Sequence, residues 1–360
     1  MLKGEKINGY TILRDFVVAG GMSKVTFAEK GGKEYFIKEF LSPKYPLPES
    51  PGSEKVKAQK RKACEAFENH HRELNKKIGS KVSLGGNLVF AVDFFRSGAC
   101  YYKVTEKIDT SSLSCEEISR LPFDKIVLIA KSVCHSIRIL HSLNIVHGDL
   151  KPDNILIKKT SLGYSGKLID FDDSYFSGNP PTDHESLVGT PEYYSPEQAA
   201  YIMDEDDEIP GNTLTLKSDI FTLGIILTEY FTGRKPILPE KYGSSWVCVE
   251  EGESYSFIRK MSDKLESLIR AMLSKKPTDR PTINEVFDAL KNLKESDLIT
   301  KPVCVDPLPK SSKPIVKPSP VSKKVELRST FKVKAPVEKT EVKTESKSKS
   351  SLRSKTWGVS

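Results

Sequence analysis

The chain has 360 residues and a formal net charge of +8, with 38% hydrophobic and 29% charged residues. This composition is typical of a soluble globular protein that carries some disordered sequence. It excludes a membrane span, because no apolar run reaches the roughly 18 residues needed, and a C-x-x-C metal or redox site, because no two of the six Cys have that spacing.

The positive charge lies at the end of the chain. Residues 301–360 hold 13 Lys and 2 Arg against 4 Glu and 1 Asp, so this segment carries +10 and the first 300 residues carry −2. We therefore expect no membrane or nucleic-acid partner for the body of the protein. Residues 298–360 lack an apolar period, which predicts a basic disordered tail. The polar N-terminus and the unpaired Cys pattern predict a cytoplasmic location.

The first hundred residues are predicted to be mostly strand with one helix. A Pro-rich loop at 43–53 precedes a long charged helix at 54–78. Alternating apolar residues predict five strands, at 10–18, 24–29, 33–40, 87–95 and 100–106.

After residue 115 the pattern becomes helical. A hairpin is predicted at 155–158 and 167–171. Apolar periodicity predicts four helices, at 123–143, 218–232, 263–273 and 282–293. A small β-rich lobe followed by a larger helical lobe predicts a bilobal α+β fold with a ligand cleft between the lobes.

The most informative stretch is HGDLKPDN, residues 147–154. Asp149 is suited to orient an attacking hydroxyl and accept its proton, and Lys151 to neutralise charge on a transferred phosphoryl group. Asn154, together with Asp170 of LIDFDD, supplies the oxygen ligands that Mg²⁺ prefers. The pattern therefore predicts phosphoryl transfer with a bound divalent cation.

These motifs resemble those of the eukaryotic-type (Hanks-type) serine/threonine protein kinases, in a bacterial-like form, over about residues 10–295. The resemblance implies a protein-kinase-like fold, with a kinase domain at 1–297, an N-lobe at about 9–106 and a C-lobe at about 109–297. It also implies ATP as the phosphoryl donor, Mg²⁺ or alternatively Mn²⁺ as the metal, and Ser/Thr hydroxyls of protein substrates as acceptors.

The segment VVAGGMSKVTFA is similar to the Gly-rich loop of this family, although Val18 and Ser23 replace two of its three glycines. The resemblance implies that four of its residues contact the nucleotide, namely Val17, Gly20, Gly21 and Val25.

The stretch FIK resembles V-A-I-K, which makes Lys38 the implied lysine for the α- and β-phosphates. Its partner is expected to be a helix glutamate. Glu73 is preferred and Glu68 is the alternative, although Lys77 stands four residues after Glu73 where the family usually has an apolar residue.

The segment YYKVTEKI, residues 101–108, resembles the last strand of the small lobe and the hinge that follows it. By this resemblance Thr105 is the gatekeeper, and the backbone of Glu106 and Ile108 bonds to adenine.

In the second lobe, GTPEYYSPE resembles the end of the activation segment. The resemblance implies an ion pair between Glu197 and Arg280 that fixes the base of this segment. It also places Asp219 at the start of the central helix of the lobe.

Two departures from the family concern the active site. Gly148 replaces the Arg that normally precedes the catalytic Asp, so control by loop phosphorylation is not expected. Asp172 replaces the Gly of D-F-G, and it either restrains the flip of Phe171 or contacts the metal indirectly, through a group that binds it.

Two other classes share some of these features. The H-G-D and I-D-F-D stretches also resemble small-molecule kinases of the aminoglycoside and choline type, and the altered Gly-rich loop also suits a pseudokinase scaffold. Three features favour a protein kinase: Lys151, GTPEYYSPE and Asp279-Arg280-Pro281. An active enzyme is favoured because the four polar residues of the site are all present, namely Lys38, Asp149, Asn154 and Asp170.

The tail contains a weak duplication, LRSTFKV at 327–333 and LRSKTWGV at 352–359. Three interpretations stay open: coincidence in a Lys- and Ser-rich segment, autophosphorylation of its Ser and Thr, or docking of an acidic or phospho-motif-reading partner.

Overall fold

The structure is a computed structural model that describes residues 2–294, apart from 20–22, 81–86, 110, 162, 182–186, 188 and 205–207. The predicted tail at 298–360, Gly20 and Gly21 therefore lie outside the described residues. Within the described residues, no helix is long and apolar enough to cross a membrane.

The N-terminal lobe is a twisted antiparallel sheet with one long helix. Its strands follow the spatial order β1-β2-β4-β5-β7-β6, and β3 pairs with β4. The strands are β1 (Lys6–Ile7), β2 (Tyr10–Ile12), β3 (Val17–Ala19), β4 (Ser23–Lys30), β5 (Lys33–Phe40), β6 (Asp93–Ser97) and β7 (Cys100–Glu106). Helix α1 (Glu54–Gly79) connects β5 to β6 and begins at the N-cap Ser53, whose hydroxyl accepts a hydrogen bond from Val56 N.

The two faces of this sheet have different roles. One face packs into an apolar cluster that includes Ile37 and Val104. The register pairs Ile37 with Val104 and Lys38 with Lys103, so the two lysines lie side by side on the opposite face. That second face meets α1 and the second lobe, and it therefore carries the polar groups of the cleft.

The C-terminal lobe is mainly helical around one large apolar core. Its helices are α2 (Cys115–Ser119), α3 (Phe123–Ser142), α4 (Pro196–Met203), α5 (Leu216–Thr232), α6 (Ser245–Glu250), α7 (Asp263–Met272) and α8 (Ile283–Lys291). Helix α5 is buried almost all round, as expected of a helix that is apolar on every side.

Two small antiparallel sheets of two strands each place the site at the edge of this lobe. They are formed by β8 (Ile145–Val146) with β11 (Tyr175–Phe176), and by β9 (Ile155–Thr160) with β10 (Gly163–Leu168). The loops that join these strands carry HGDLKPDN and the Asp170 stretch, so chain segments far apart in sequence meet at one edge.

The α+β two-lobed architecture is confirmed, and two predicted strands are corrected. The strand predicted at 10–18 is two short strands, 10–12 and 17–19. The strand predicted at 87–95 begins only at Asp93, because Leu88 instead bridges to Leu168 of the second lobe and packs into its core.

Candidate active site

The loop that carries Asp149 is fixed from below by a buried carboxylate. Asp219, in the first turn of α5, accepts hydrogen bonds from the backbone N of His147 at 2.9 Å and from His141 Nε2 at 2.9 Å. Its side chain is only 3% exposed. These bonds hold the start of the HGD turn. They also offset the free-energy cost of burying the Asp219 carboxylate away from water.

Gly148 is required by its surroundings. Its φ is +82°, and a Cβ added there would lie 2.1 Å from the carbonyl oxygen of Asp173. Gln198 Nε2 of α4 donates to the Gly148 carbonyl at 2.7 Å. In this backbone arrangement a side chain at position 148 would clash with Asp173, so Gly is the residue that fits here.

Asp149 lies in a closed polar network with a lysine and a threonine. Lys151 Nζ is 2.7 Å from Asp149 Oδ2 and 2.8 Å from Thr190 Oγ1. Thr190 Oγ1 in turn donates to Asp149 Oδ1 at 2.9 Å. Asn154 Nδ2 donates to the backbone oxygen of Asp149 at 2.7 Å and to its Oδ2 at 3.1 Å. Both carboxylate oxygens are thus oriented, as a group that must direct a substrate hydroxyl requires.

Thr190 was not among the predicted site residues. Its signal in the sequence is the Gly-Thr that opens GTPEYYSPE, but which side chain of that stretch reaches Asp149 depends on how the segment folds back. The structure brings it there through the short turn Pro191–Tyr193 and the N-terminus of α4.

Asn154 and Asp170 supply oxygen donors beside this network. Since the amide NH₂ of Asn154 is used by Asp149, its amide oxygen is left to face a ligand. Asp170 has a φ of +58°, a conformation that Asp tolerates better than most residues, and its side chain is 39% exposed. One carboxylate and one amide oxygen fit a hard cation that keeps water and phosphate as its other ligands.

No larger metal site competes with this pair. Across the part of the chain that the structure describes, no group of three or more His, Cys, Asp or Glu side chains is arranged to hold a metal.

Lys38 lies against two aspartates of the second lobe. Its Nζ is 3.1 Å from Asp170 Oδ2 and 2.5 Å from Asp172 Oδ2. Lys103, its neighbour on β7, contacts Asp172 Oδ1 and lies 3.3 Å from Asp170 Oδ1. The four side chains form a ring of alternating charge, and each ammonium touches both carboxylates.

The charges in this ring are mutually stabilised. Burial acts to lower the pKa of Lys38, but Asp172 and Asp170 outweigh it and raise that pKa. Burial acts to raise the pKa of Asp172, but Lys103 and Lys38 outweigh it and hold that pKa well below its usual range. Lys38 and Asp172 are therefore both charged at neutral pH.

The pairing of Lys38 with Glu73 is not what the structure shows. Glu73 is exposed on α1, and the alternative, Glu68, pairs with Arg72 at 2.8 Å. The buried stripe of α1 includes Cys64, His71, Leu74 and Ile78. This stripe turns Glu73 to solvent, because residues at 3–4 spacing share a face and Glu73 falls between them.

Histidines occupy the place on α1 that the glutamate was expected to fill. His71 is buried and stacks on Phe94 with ring centroids 5.1 Å apart. Burial, with Lys103 nearby, lowers the pKa of His71 well below its usual value. His70 Nε2 donates to the carbonyl of Ser174 at 2.9 Å. The helix thus presents neutral imidazole to the two lysines.

The other sequence-predicted positions lie around this centre. Val25 pairs with Lys38 and Thr105 with Phe36, so these residues share the cleft face of the sheet. Val17 pairs with Val25 and is exposed. Glu106 ends β7, and Ile108 follows two residues later.

Glu197 and Arg280 form a bidentate pair at the base of the activation segment. Arg280 Nη1 and Nη2 donate to Glu197 Oε1 and Oε2 at 2.7 and 2.8 Å, and the Arg280 side chain is fully buried. Ser218 Oγ also donates to Glu197 Oε1 at 2.7 Å. This pair ties α4 to the start of α5 and to the loop before α8.

Comparison with known proteins gives one family. A model described as the protein kinase domain matches residues 53–290, which begins after the first five strands. The chain is 30% identical over 200 residues to serine/threonine-protein kinase Pkn1 of Myxococcus xanthus, covering 54% of this chain and 27% of that protein. It is 28% identical over 213 residues to mitogen-activated protein kinase kinase 2 of Arabidopsis thaliana, covering 56% and 55%.

A third relative is the ovarian-specific serine/threonine-protein kinase Lok of Drosophila melanogaster, 28% identical over 208 residues, which are 56% of this chain and 39% of Lok. The chain thus spans between about a quarter and about half of the length of these relatives. Since the family model covers well over half of the chain and the site residues from Asp149 to Arg280, the chain belongs to the protein kinase domain family, whose members use ATP and a divalent metal.

Proposed function

We propose that the protein is a serine/threonine protein kinase that transfers the γ-phosphoryl group of Mg-ATP to protein hydroxyls. The observation that carries this proposal is the network around Asp149. Its carboxylate accepts hydrogen bonds from Lys151 and from Thr190, and Lys151 also donates to Thr190. The relatives named above are protein kinases, which supports protein acceptors over small molecules.

Each residue of the site has one role in this reaction. Asp149 orients the acceptor hydroxyl and takes its proton as the hydroxyl oxygen bonds to the γ-phosphorus. The bond from that phosphorus to the β,γ-bridging oxygen breaks, and ADP leaves. Lys151 neutralises the charge that develops on the transferred group. Lys38 holds the α- and β-phosphates, and Asn154 with Asp170 holds the metal. When bound, Mg-ATP supplies the phosphoryl group and part of the charge neutralisation.

Mg²⁺ is proposed as the metal, with Mn²⁺ as the alternative, because the ligands are oxygens only and few in number. Mg²⁺ keeps most of its waters and is usually held by one or two protein groups plus phosphates. Val17, Val25, Glu106 and Ile108, with Gly20 and Gly21, are the proposed contacts to the nucleotide. The supporting geometry is that Val17 and Val25 lie on the sheet face that carries Lys38, while Glu106 ends the strand beside it.

The location and the tail complete the proposal. The five Cys in the described residues are free, which supports a reducing, cytoplasmic compartment. We propose the kinase domain at 1–297 and a basic tail at 298–360. The repeated Leu-Arg-Ser stretches in the tail are proposed as sites of autophosphorylation or as a dock for an acidic or phospho-motif-reading partner.

The acceptor class is tested by supplying radiolabelled ATP and Mg²⁺ with a generic basic protein, a Ser/Thr peptide mixture, an aminoglycoside and choline in parallel. We expect label in the protein or peptide, or in the kinase itself. Label in the aminoglycoside or choline alone would replace the proposal with small-molecule phosphorylation.

A further inference from the structure

We propose that Asp172 and Lys103, rather than a glutamate of helix α1, position Lys38 for phosphate binding. This inference deepens the proposed function and rests on it for the role of Lys38. Asp172 and Lys103 are positioning residues, because they act on the nucleotide through Lys38 and not by touching it.

The first argument is the register of the sheet. Lys38 and Lys103 lie directly opposite each other on β5 and β7. Two like charges in such a pair repel, and neither side chain is far from the interior, with exposed fractions of 17% and 11%. A buried lysine is rarely found without a paired carboxylate. We therefore expect a carboxylate next to Lys103.

The second argument is the position of Asp172. Its side chain is only 10% exposed, and its two oxygens are divided between the lysines, Oδ2 at 2.5 Å from Lys38 and Oδ1 on Lys103. Asp172 thus fixes the ammonium of Lys38 from the second lobe. The sequence suggested two roles for Asp172, a restraint on the flip of Phe171 or an indirect contact to the metal. Neither of them involves these two lysines.

The third argument is what α1 offers instead. Its buried stripe brings His71 towards the lysines, and burial keeps that imidazole neutral. Glu73 and Glu68 lie elsewhere on the helix, one exposed and one paired with Arg72. A neutral ring cannot take the place of a carboxylate in orienting an ammonium.

The orientation of Lys38 is measured directly by its reactivity. The full-length protein, without nucleotide, is treated with a water-soluble amine reagent such as trinitrobenzenesulfonate, and modification of Lys38 is followed by mass spectrometry. The variants are Asp172→Asn, Lys103→Met, the conservative Asp172→Glu and Lys103→Arg, and the matched controls Glu73→Gln and Glu68→Gln. The double variant Lys103→Met/Asp172→Gly removes both charges together. Neither position then keeps a buried charge without its partner, and the variant is expected to fold.

We expect Asp172→Asn and the double variant to label Lys38 at least tenfold faster than the wild type, with kcat/KM for ATP reduced at least tenfold. Lys103→Arg and Asp172→Glu should recover most of both values. Glu73→Gln and Glu68→Gln should match the wild type within twofold. Melting curves show which variants are folded, and a folded double variant with low kcat/KM separates positioning from stability.

Two outcomes would overturn the inference. One is unchanged Lys38 labelling in both Asp172→Asn and the double variant. The other is faster labelling in a glutamate variant, which would make α1 the partner. Asp149→Ala is included because it should slow transfer about 10²- to 10⁴-fold while leaving Lys38 labelling unchanged. An inactive wild type with the expected labelling pattern would count against the proposed function alone.

Discussion

The Asp149 carboxylate is oriented by side chains that come from two separate parts of the chain. Lys151 and Asn154 lie within five residues of Asp149, whereas Thr190 arrives from the activation segment 41 residues away. The local pattern was therefore sufficient to predict the first two, and the third depended on a long-range fold. The bond from Thr190 thus links the Asp149 carboxylate to the activation segment.

Removal of the Thr190 hydroxyl should slow the reaction. In Thr190→Ala, Asp149 loses the bond to Oδ1 and Lys151 loses its second acceptor, so both side chains gain freedom. We expect kcat to fall about ten- to a hundredfold, since a small misplacement of a reacting group has effects of this size. Thr190→Ser keeps the hydroxyl and should stay within about threefold of the wild type. Steady-state kinetics would contradict this account if the Ser and Ala variants were equally slow.

The carboxyl group of Asp173 should make stability depend on pH. Burial, with Asp172 and Asp149 nearby, raises its pKa to about 7, whereas an unfolded Asp titrates near 3.9. Between these values the folded state binds a proton that the unfolded state has lost, so the free energy of unfolding falls as pH rises from about 4 to about 7. The full penalty above pH 7 is at most about 4 kcal/mol.

Asp173→Asn removes this titration. At pH 8 and without divalent cation, the variant should be more stable than the wild type, and at pH 4 the two should be nearly equal. Urea unfolding at both pH values measures the difference. An equal effect of the substitution at pH 4 and pH 8 would show that Asp173 is not protonated in the folded protein.

The partner of Lys38 shows where residue-level prediction from sequence stops. Lys38, Asp149, Asn154 and Asp170 follow from short local patterns, and the structure brings them to one cleft. The partner of Lys38 depends instead on which face of a 26-residue helix turns inward. Since that rotation is set by the packing of Phe40, Phe67 and Phe94 around His71, no local pattern of glutamates could reveal it.

At the level of elements, the base of the activation segment depends on one buried ion pair. Arg280 reaches Glu197 with both guanidinium nitrogens and also donates to the backbone oxygens of Ser274, Lys217 and Lys275. It stacks over Phe221 at 4.9 Å. Every donor of this buried cation is therefore used, and three elements meet at it.

Removal of one partner should destabilise the lobe strongly. Glu197→Gln leaves the Arg280 charge buried without a counter-charge, and such changes cost about 3–5 kcal/mol. The matched control is Glu116→Gln, which breaks an exposed pair with Arg120 and should cost less than about 1 kcal/mol. Guanidinium unfolding of both variants measures the loss in the free energy of unfolding. Similar losses in the two would contradict the expectation that the buried pair stabilises the fold more than the exposed one.

The helices were predicted better than the strands. The predicted helices 54–78, 123–143 and 263–273 agree with α1, α3 and α7 within a residue at each end. Each of these helices buries one face against the core, so its apolar residues recur at helical spacing and the helix can be predicted from the sequence. The stretch 87–92 was wrongly predicted as strand. Its Leu88 packs against the second lobe, and composition alone does not distinguish such a residue from one in a paired strand.

At the scale of the whole molecule, the site exists because two lobes contribute opposite charges to one cleft. The sheet supplies Lys38 and Lys103, and the second lobe supplies Asp170 and Asp172. Two ammonium groups thus face two carboxylates across the cleft. The fold class and the order of the lobes follow from periodicity and motif order, whereas contact across the cleft does not.

The most direct measurement is phosphoryl transfer from radiolabelled Mg-ATP to a Ser/Thr protein acceptor by wild type, Asp149→Ala and a control, Asp124→Ala, whose carboxylate is exposed on α3. We predict transfer by the wild type and the control, and a loss of about 10²- to 10⁴-fold in Asp149→Ala because the group that accepts the hydroxyl proton is gone. Transfer by Asp149→Ala at the wild-type rate, with both proteins folded, would contradict the account.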